Sequence, residues 1–331
     1  MTKLAIIGIG PIGAAIALGL KEAKVKNLEV VAAGGDKSAL EQSVEIGAVD
    51  KRFDTVRDVV PDADIVLFDA THHHSRDLLE VIGPLLKPGS ILTDTGSMKG
   101  RMAEWAQEFL PESAHYVGGR PVIKALPKQV KDATAQLLVG ADYCIVQNAK
   151  ANPQAIKVIV DIAEAVHANP FFLDVSEHDA FSAAMSHLPI VLSNAFVTTV
   201  SSSQSWKELA KLASNEFQEI SSLAATDPEA NHLASLSSKE ALVHWIDQMI
   251  AELYTYRNEI KQDNDQLLYR FVQGWEMVAR WEAGAVDDGN ESNMPTASET
   301  MAASLVGDLL LKKYRDMTGK NRKSWEYFKK S

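Results

Sequence analysis

Leu4-Ala5-Ile6-Ile7 runs directly into Gly8-Ile9-Gly10-Pro11-Ile12-Gly13 and then into an apolar helical stretch, Ala14 to Ala23. A buried strand, a glycine turn and a helix in immediate succession specify the opening of a doubly wound α/β fold. The glycines have separate duties. Gly8 permits the tight turn, Gly10 has no side chain to obstruct a pyrophosphate, and Gly13 lets the helix pack closely on the strand. Pro11 and Ile12 complete the turn, and the free N–H groups of the helix start face the anion. The competing reading is an ordinary glycine turn, which the βαβ context argues against.

The cofactor can be narrowed further. Leu28 to Ala33 reads as the second strand, and Asp36 falls near its end, where the ribose-binding acid is expected. A carboxylate there accepts hydrogen bonds from a ribose diol and repels a 2′-phosphate, which favours NAD over NADP. Lys37 and Ser38 leave the phosphorylated cofactor open, and Asp36 could instead be a helix N-cap.

The rest of the first half continues the pattern. Asp64–Asp69, Ser90–Asp94, Tyr143–Val146 and Phe171–Leu173 read as strands, with helical segments such as Ser75–Leu86 and Pro153–His167 between them. This alternation implies a parallel sheet. After Asp174 the strand signal disappears. Ser176 reads as a helix cap with Asp179 three residues on. Helical patterns follow over Asp179–Val200, Ser205–Ala225, Ser237–Arg280 and Ser298–Met317, with a polar loop from Gly284 to Ala297. The expectation is a Rossmann-type dinucleotide domain over residues 1–174 and an all-helical substrate and dimerisation domain over 175–331.

Composition sets the outer limits. A chain of 331 residues suits two domains, and a net charge of −11 argues against nucleic acid as a bulk partner. The lone Cys144 sits in an apolar run and reads as a buried strand residue with neither disulfide nor metal role. Met1-Thr2-Lys3 leads directly into the first strand, so no signal peptide is expected, and no apolar stretch reads as long enough to span a bilayer; a cytoplasmic protein is expected. The stretch from Lys312 to Lys330 is basic and reads as a solvated helix end or a contact with an acidic subunit.

With these residues in view, the chain resembles the prephenate and arogenate dehydrogenases of tyrosine biosynthesis from Met1 to about Asn258. The resemblance rests on the glycine block, on Ile46-Gly47-Ala48-Val49-Asp50, on Thr93-Asp94-Thr95-Gly96-Ser97-Met98-Lys99, and on His178-Asp179 with Ser186-His187-Leu188-Pro189. It implies hydride transfer to NAD from a hydroxyl-bearing small carboxylate, a homodimer, and Ser97 and His187 at the substrate. Thr71 and His72, at the end of the strand that begins at Asp64, are expected to touch the cofactor. Ser97 could otherwise cap a helix, and His187 could be a core histidine.

Two positions depart from the family. Its catalytic histidine, in a His-Pro-Met-Ala-Gly segment, is replaced by Arg120 in Gly118-Gly119-Arg120-Pro121-Val122-Ile123-Lys124, and its substrate-clamping arginine by Ser222. A guanidinium stays protonated near neutrality, so Arg120 is suited to binding a carboxylate rather than removing a proton. The proton then falls to His187, Lys124 or the cluster His72-His73-His74, for which metal binding is a minor alternative. Lys99 could reach the cleft or be solvated, His178 and Asp179 could be a cleft pair or a helix turn, and Asn194 could add a polar contact. A substrate other than prephenate is expected. The alternatives are genuine prephenate or arogenate oxidation, and a non-catalytic NAD-binding sensor or scaffold.

Overall fold

The computed structural model describes residues 1–69, 74–147 and 151–284. Thr71, His72, His73, most of the polar loop after Gly284, the last helical segment and the basic tail lie outside them. The chain divides into two compact units, Met1–Ile246 and Asp247–Ser331.

The first unit is built on a six-stranded parallel sheet of order β3-β2-β1-β4-β5-β6. Its strands are β1 (Thr2–Ile7), β2 (Leu28–Ala33), β3 (Lys51–Phe53), β4 (Ile65–Phe68), β5 (Ile91–Asp94) and β6 (His115–Tyr116). Central strands of such a sheet are covered on both faces and read as continuous apolar runs. Alternate residues of β1 go to opposite sides: Leu4 and Ile6 join one core with Ile16, Val30 and Leu67, while Ala5 and Ile7 join another with Val31, Phe68, Leu79 and Trp105. The helices covering the sheet include α1 (Pro11–Glu22), α2 (Lys37–Glu45), α3 (Ser75–Ile82), α4 (Lys99–Phe109) and α5 (Pro153–Ala165). Because β2 and β3 lie to one side of β1 and β4 to β6 to the other, the chain reverses direction between β1 and β4. The crevice at the carboxyl ends of those two strands is where ligands bind in open α/β sheets.

The later strands do not extend this sheet, contrary to a simple parallel series. β7 (Gly118–Pro121) turns back to pair antiparallel with β8 (Asp142–Gln147), and β8 pairs parallel with β9 (Asn169–Asp174), giving a separate mixed three-stranded sheet. Two glycines let β7 lie this close to its neighbours. A Cβ on Gly118 would stand 2.9 Å from Lys99 Cδ, and one on Gly119 would stand 2.8 Å from Thr93 Oγ1. Buried Cys144 is opposite Arg120 in this ladder.

β9 passes into helix α6 (Val175–Ser182) without a loop. The cap is Asp174, whose side chain accepts from the Glu177 N–H while Glu177 accepts from the Asp174 N–H. The capping box therefore begins two residues earlier than Ser176, because the strand's last residue is already extended and serves as the cap. The helix widens to a π-turn over Ala183–His187 and continues as α7 (Leu188–Ser201). Pro189 has no N–H to give to the carbonyl four residues back, and the widened turn lies just ahead of it. This run, 175–201, corrects the expectation of no membrane-length segment: it has a mean hydropathy of 1.4 over 18 residues. Its buried side chains include four polar ones, His178, Ser182, His187 and Ser193, beside Ala183 and Leu188. His178, Ser182 and His187 reach Arg120 and Ser97 of the nucleotide half, while Ser193 donates to the Ile220 carbonyl.

The predicted helix Ser205–Ala225 is broken into α8 (Trp206–Leu209), α9 (Asn215–Ser221) and short 3-10 turns, followed by α10 (Pro228–Ser237). The last long segment is α11 (Lys239–Lys261) and α12 (Gln266–Glu282), interrupted where Asp263 takes a φ of 50°. In the second unit Arg270 bonds both Glu259 (2.7 Å) and Glu252 (2.8 Å), joining α12 to α11.

Candidate functional site

The glycine turn forms one wall of a cleft of about 940 Å³ at the β1/β4 crevice, lined by Gly8, Gly10, Pro11, Asp36, His74 and Lys128 among others. Gly8 has a φ of 71°, a left-handed conformation that a side chain would strain. Pro11 is at the first position of α1, where its missing N–H costs nothing. Asp36 fulfils both readings of it: its carboxylate accepts from the Ser38 N–H (3.0 Å) as the N-cap of α2, and it also lines the cleft. These residues fit a dinucleotide, with bare backbone for the phosphates and a carboxylate at the end of β2 for a ribose.

One neighbour of the turn carries no signal in the sequence. Asp69, just beyond β4, accepts from the N–H groups of Gly10 and Gly13, both at 2.8 Å, and from the Thr95 hydroxyl. A Cβ on Gly13 would stand 2.5 Å from this carboxylate and 3.1 Å from Ile6 Cγ2. Gly13 is thus required by the acid as well as by helix–strand packing. Burial, with Asp94 nearby, pushes the Asp69 carboxyl up to about 6 despite its three hydrogen bonds.

A second cluster forms where β5, β7 and α4 meet α6 and the π-turn. Ser97 does not cap α4; its Oγ lies 3.2 Å from His187 Nε2. The widened turn brings both Ser186 and buried His187 to this site, the former to Arg120 and the latter to Ser97. Arg120 Nη1 donates to Ser182 Oγ (2.5 Å) and approaches His178 Nε2 (3.5 Å), and its Nη2 donates to Ser186 Oγ (2.7 Å). Burial lowers the Arg120 pKa, while the charges of Cys144, Asp94 and Asp179 oppose the fall. Both nitrogen termini are held by neutral hydroxyls, so the guanidinium keeps its positive charge for an anionic ligand.

Lys99 is not solvated. It is fully buried, with Nζ 2.6 Å from Asp94 Oδ2 and 2.8 Å from the Gly119 carbonyl. Asp94 also accepts from the Tyr116 hydroxyl (2.9 Å) and the Gly96 N–H (3.1 Å). Nor are His178 and Asp179 only a helix turn. Asp179 accepts from the backbone N–H groups of Lys99 (3.0 Å) and Gly100 (2.9 Å), capping α4 from α6, and it also contacts His178 Nδ1 (3.0 Å). Other candidates lie elsewhere. Lys124 is exposed beyond β7, Asn194 donates within its own helix to the Ile190 carbonyl, and exposed Ser222 donates to Glu219. His74 precedes α3 and lines the cofactor cleft. No group of three or more potential metal-binding side chains occurs among the described residues.

Comparison with known proteins places this architecture. Residues 16–171 match the nucleotide-binding domain of prephenate dehydrogenase, and residues 174–273 match its dimerization domain. A prephenate dehydrogenase of Bacillus subtilis is 24% identical over 81% of this chain and 72% of its own length. A cyclohexadienyl dehydrogenase of Zymomonas mobilis is 27% identical over 82% of this chain and 92% of its own. In fold, the chain is similar to A. aeolicus prephenate dehydrogenase solved with hydroxyphenyl propionate and NAD+, with a TM-score of 0.73, 21% identity, and coverage of 86% and 98% of the two chains. The two matched domains in sequence, set on a parallel sheet followed by helices, show that the chain belongs to the prephenate dehydrogenase family and is an oxidoreductase.

Proposed function

We propose that the protein is an NAD-dependent dehydrogenase that oxidises a hydroxyl-bearing small carboxylate other than prephenate. The observation that carries this reading is the pairing of Ser97 with His187 beside an Arg120 whose guanidinium is held by Ser182 and Ser186. A bound NAD+ supplies the hydride acceptor. The substrate hydroxyl gives its proton through Ser97 Oγ to His187 Nε2, a geometry within reach of general-base chemistry. Arg120 binds the substrate's carboxylate and cannot substitute for the family's histidine as a base, since it stays protonated. Ser222 offers no second cation for a carboxylate, so a substrate with two acid groups would be held less firmly. Lys124, being exposed, takes no part.

Asp36 at the β2 end supports NAD over NADP. The dimerization-domain match, together with exposed apolar side chains on α11 and α12 such as Leu253, Tyr254, Phe271 and Met277, supports a homodimer. A division near 174/175 and a cytoplasmic location belong to the same reading.

Genuine prephenate or arogenate oxidation is the second reading. It is favoured by the extent of the family match and by the retained Ser97 and His187. The family match speaks against a purely non-catalytic scaffold. The test is NADH formation, followed by absorbance, against a panel of hydroxy acids with prephenate and arogenate included. Turnover of another hydroxy acid with little on prephenate or arogenate is expected. Loss of a general base costs roughly 10²–10⁴ in rate, so prephenate turnover near the ordinary enzymatic value of about 10 per second would select the second reading.

A further inference from the structure

The second glycine of a dinucleotide turn is bare so that a pyrophosphate can approach the backbone. Here a carboxylate already stands there. Asp69 Oδ2 takes the N–H groups of Gly10 and Gly13, the N-cap and third residue of α1, and lies 3.3 Å from where a Gly10 Cβ would be. The helix start offers positive potential and free donors to an anion, and Asp69 has claimed both. Its other oxygen is engaged by Thr95. A pyrophosphate arriving beside an ionised Asp69 would meet a like charge in a partly buried site.

We propose that Asp69 is a resident anion at the cofactor's phosphate site and that dinucleotide binding is coupled to uptake of a proton by its carboxyl. This inference rests on the NAD-dependent reading given above. The surrounding charges agree with it. From β5, Asp94 adds a second negative charge and is itself neutralised by Lys99. From the cleft wall, Asp36, His74, Asp77 and Lys128 face the same space, while neither α1 residue bonded to Asp69 is ionisable. Burial has already brought the carboxyl to about 6 without any ligand, and a neighbouring pyrophosphate raises it further. Protonated on Oδ1, it keeps Oδ2 as an acceptor for the glycine N–H groups and donates to the Thr95 hydroxyl instead of accepting from it, so the negative charge facing the pyrophosphate is removed without loss of either contact.

The test is NADH titration by fluorescence from pH 6 to pH 8 on the full chain and on Asp69→Asn. The amide is neutral at every pH and can still accept from Gly10 and Gly13. One-proton linkage makes the wild-type Kd rise by up to about tenfold per pH unit over this range. The Asp69→Asn Kd is expected to be flat with pH and about tenfold or more below that of the wild type at pH 8. Equal pH dependence in both proteins assigns the effect to His74 or another wall residue and overturns the proposal. So does weaker binding by Asp69→Asn at pH 8, which would make Asp69 a required cap. Should the variant fail to fold, calorimetric titration of the wild type with NADH at pH 7, in two buffers of different ionisation enthalpy, reads the proton directly. Uptake approaching one proton per NADH supports the coupling, and none overturns it. Failure of both proteins to bind NADH at any pH would instead remove the cofactor reading, and this inference with it.

Discussion

Replacing Lys99 by methionine tests whether the packing of β5, α4 and β7 beside the site is held by a buried ion pair. The Lys99 side chain is fully buried and that of Asp94 is 3% exposed, with 2.6 Å between the charges. Methionine fills much of the same volume but leaves Asp94 ionised in the interior, with only Tyr116 and Gly96 as donors among the described residues. Breaking a buried pair from one side costs about 3–5 kcal/mol, because the survivor is an uncompensated charge. Asp94→Asn should cost a similar amount by stranding Lys99. The double variant Asp94→Asn/Lys99→Met strands neither charge. Asparagine keeps its oxygen on the Gly96 N–H and turns its NH2 to the Tyr116 hydroxyl, which then accepts, so the main loss is the Lys99 donor to Gly119, about 1–2 kcal/mol. The double variant is therefore expected to be more stable than either single one. Urea denaturation followed by far-UV circular dichroism, on all four proteins, closes the cycle. A Lys99→Met cost below about 1 kcal/mol, the range of an exposed pair, would refute the reasoning. So would a double variant that costs as much as the two singles combined.

Two further outcomes follow from the site. Arg120→Lys exchanges a two-ended donor for a point charge that cannot bond Ser182 and Ser186 together, so substrate KM should rise roughly ten- to a hundredfold, from about 1.5–3 kcal/mol of lost charged hydrogen bonding, with NADH affinity unchanged; steady-state kinetics beside an NADH titration measures both. Gly10→Val places its side chain against Asp69 and in the phosphate approach, so binding of both NADH and NADPH should be lost, while the parent binds NADH the more tightly; fluorescence titration reads all four affinities.

Much of the fold was legible because its signals are local. β1, the glycine turn and α1 are contiguous, and the apolar runs of β4 and β5 report burial on both faces of a sheet. What escaped depends on contacts between distant residues. Asp69 reads as a polar residue after a strand, yet its partners Gly10 and Gly13 lie 59 and 56 positions away. Lys99 resembles a solvated helix start, and only the return of β7 over it, allowed by Gly118 and Gly119, makes it a core residue. The true cap, Asp174, was hidden because no loop separates β9 from α6. Arg120 was legible as a departure from the family pattern, but Ser182 and Ser186 were not legible as its partners, which lie 62 and 66 positions away on α6 and on the π-turn. The antiparallel course of β7 was missed for a related reason, since Gly118-Gly119-Arg120-Pro121 has no apolar alternation to mark it as a strand.

The central claim is that Ser97 and His187 carry the proton while Arg120 holds the acid, and it is tested most directly by the pH–rate profile of kcat for the wild type beside His187→Asn, on the substrate the panel identifies. If His187 is the base, the wild-type rate climbs as an imidazole loses its proton between about pH 5 and 8. His187→Asn should then be slower by roughly 10²–10⁴ and flat over that range. A variant that keeps both the wild-type rate and its rising limb would contradict the account and move the chemistry away from the Ser97–His187 pair.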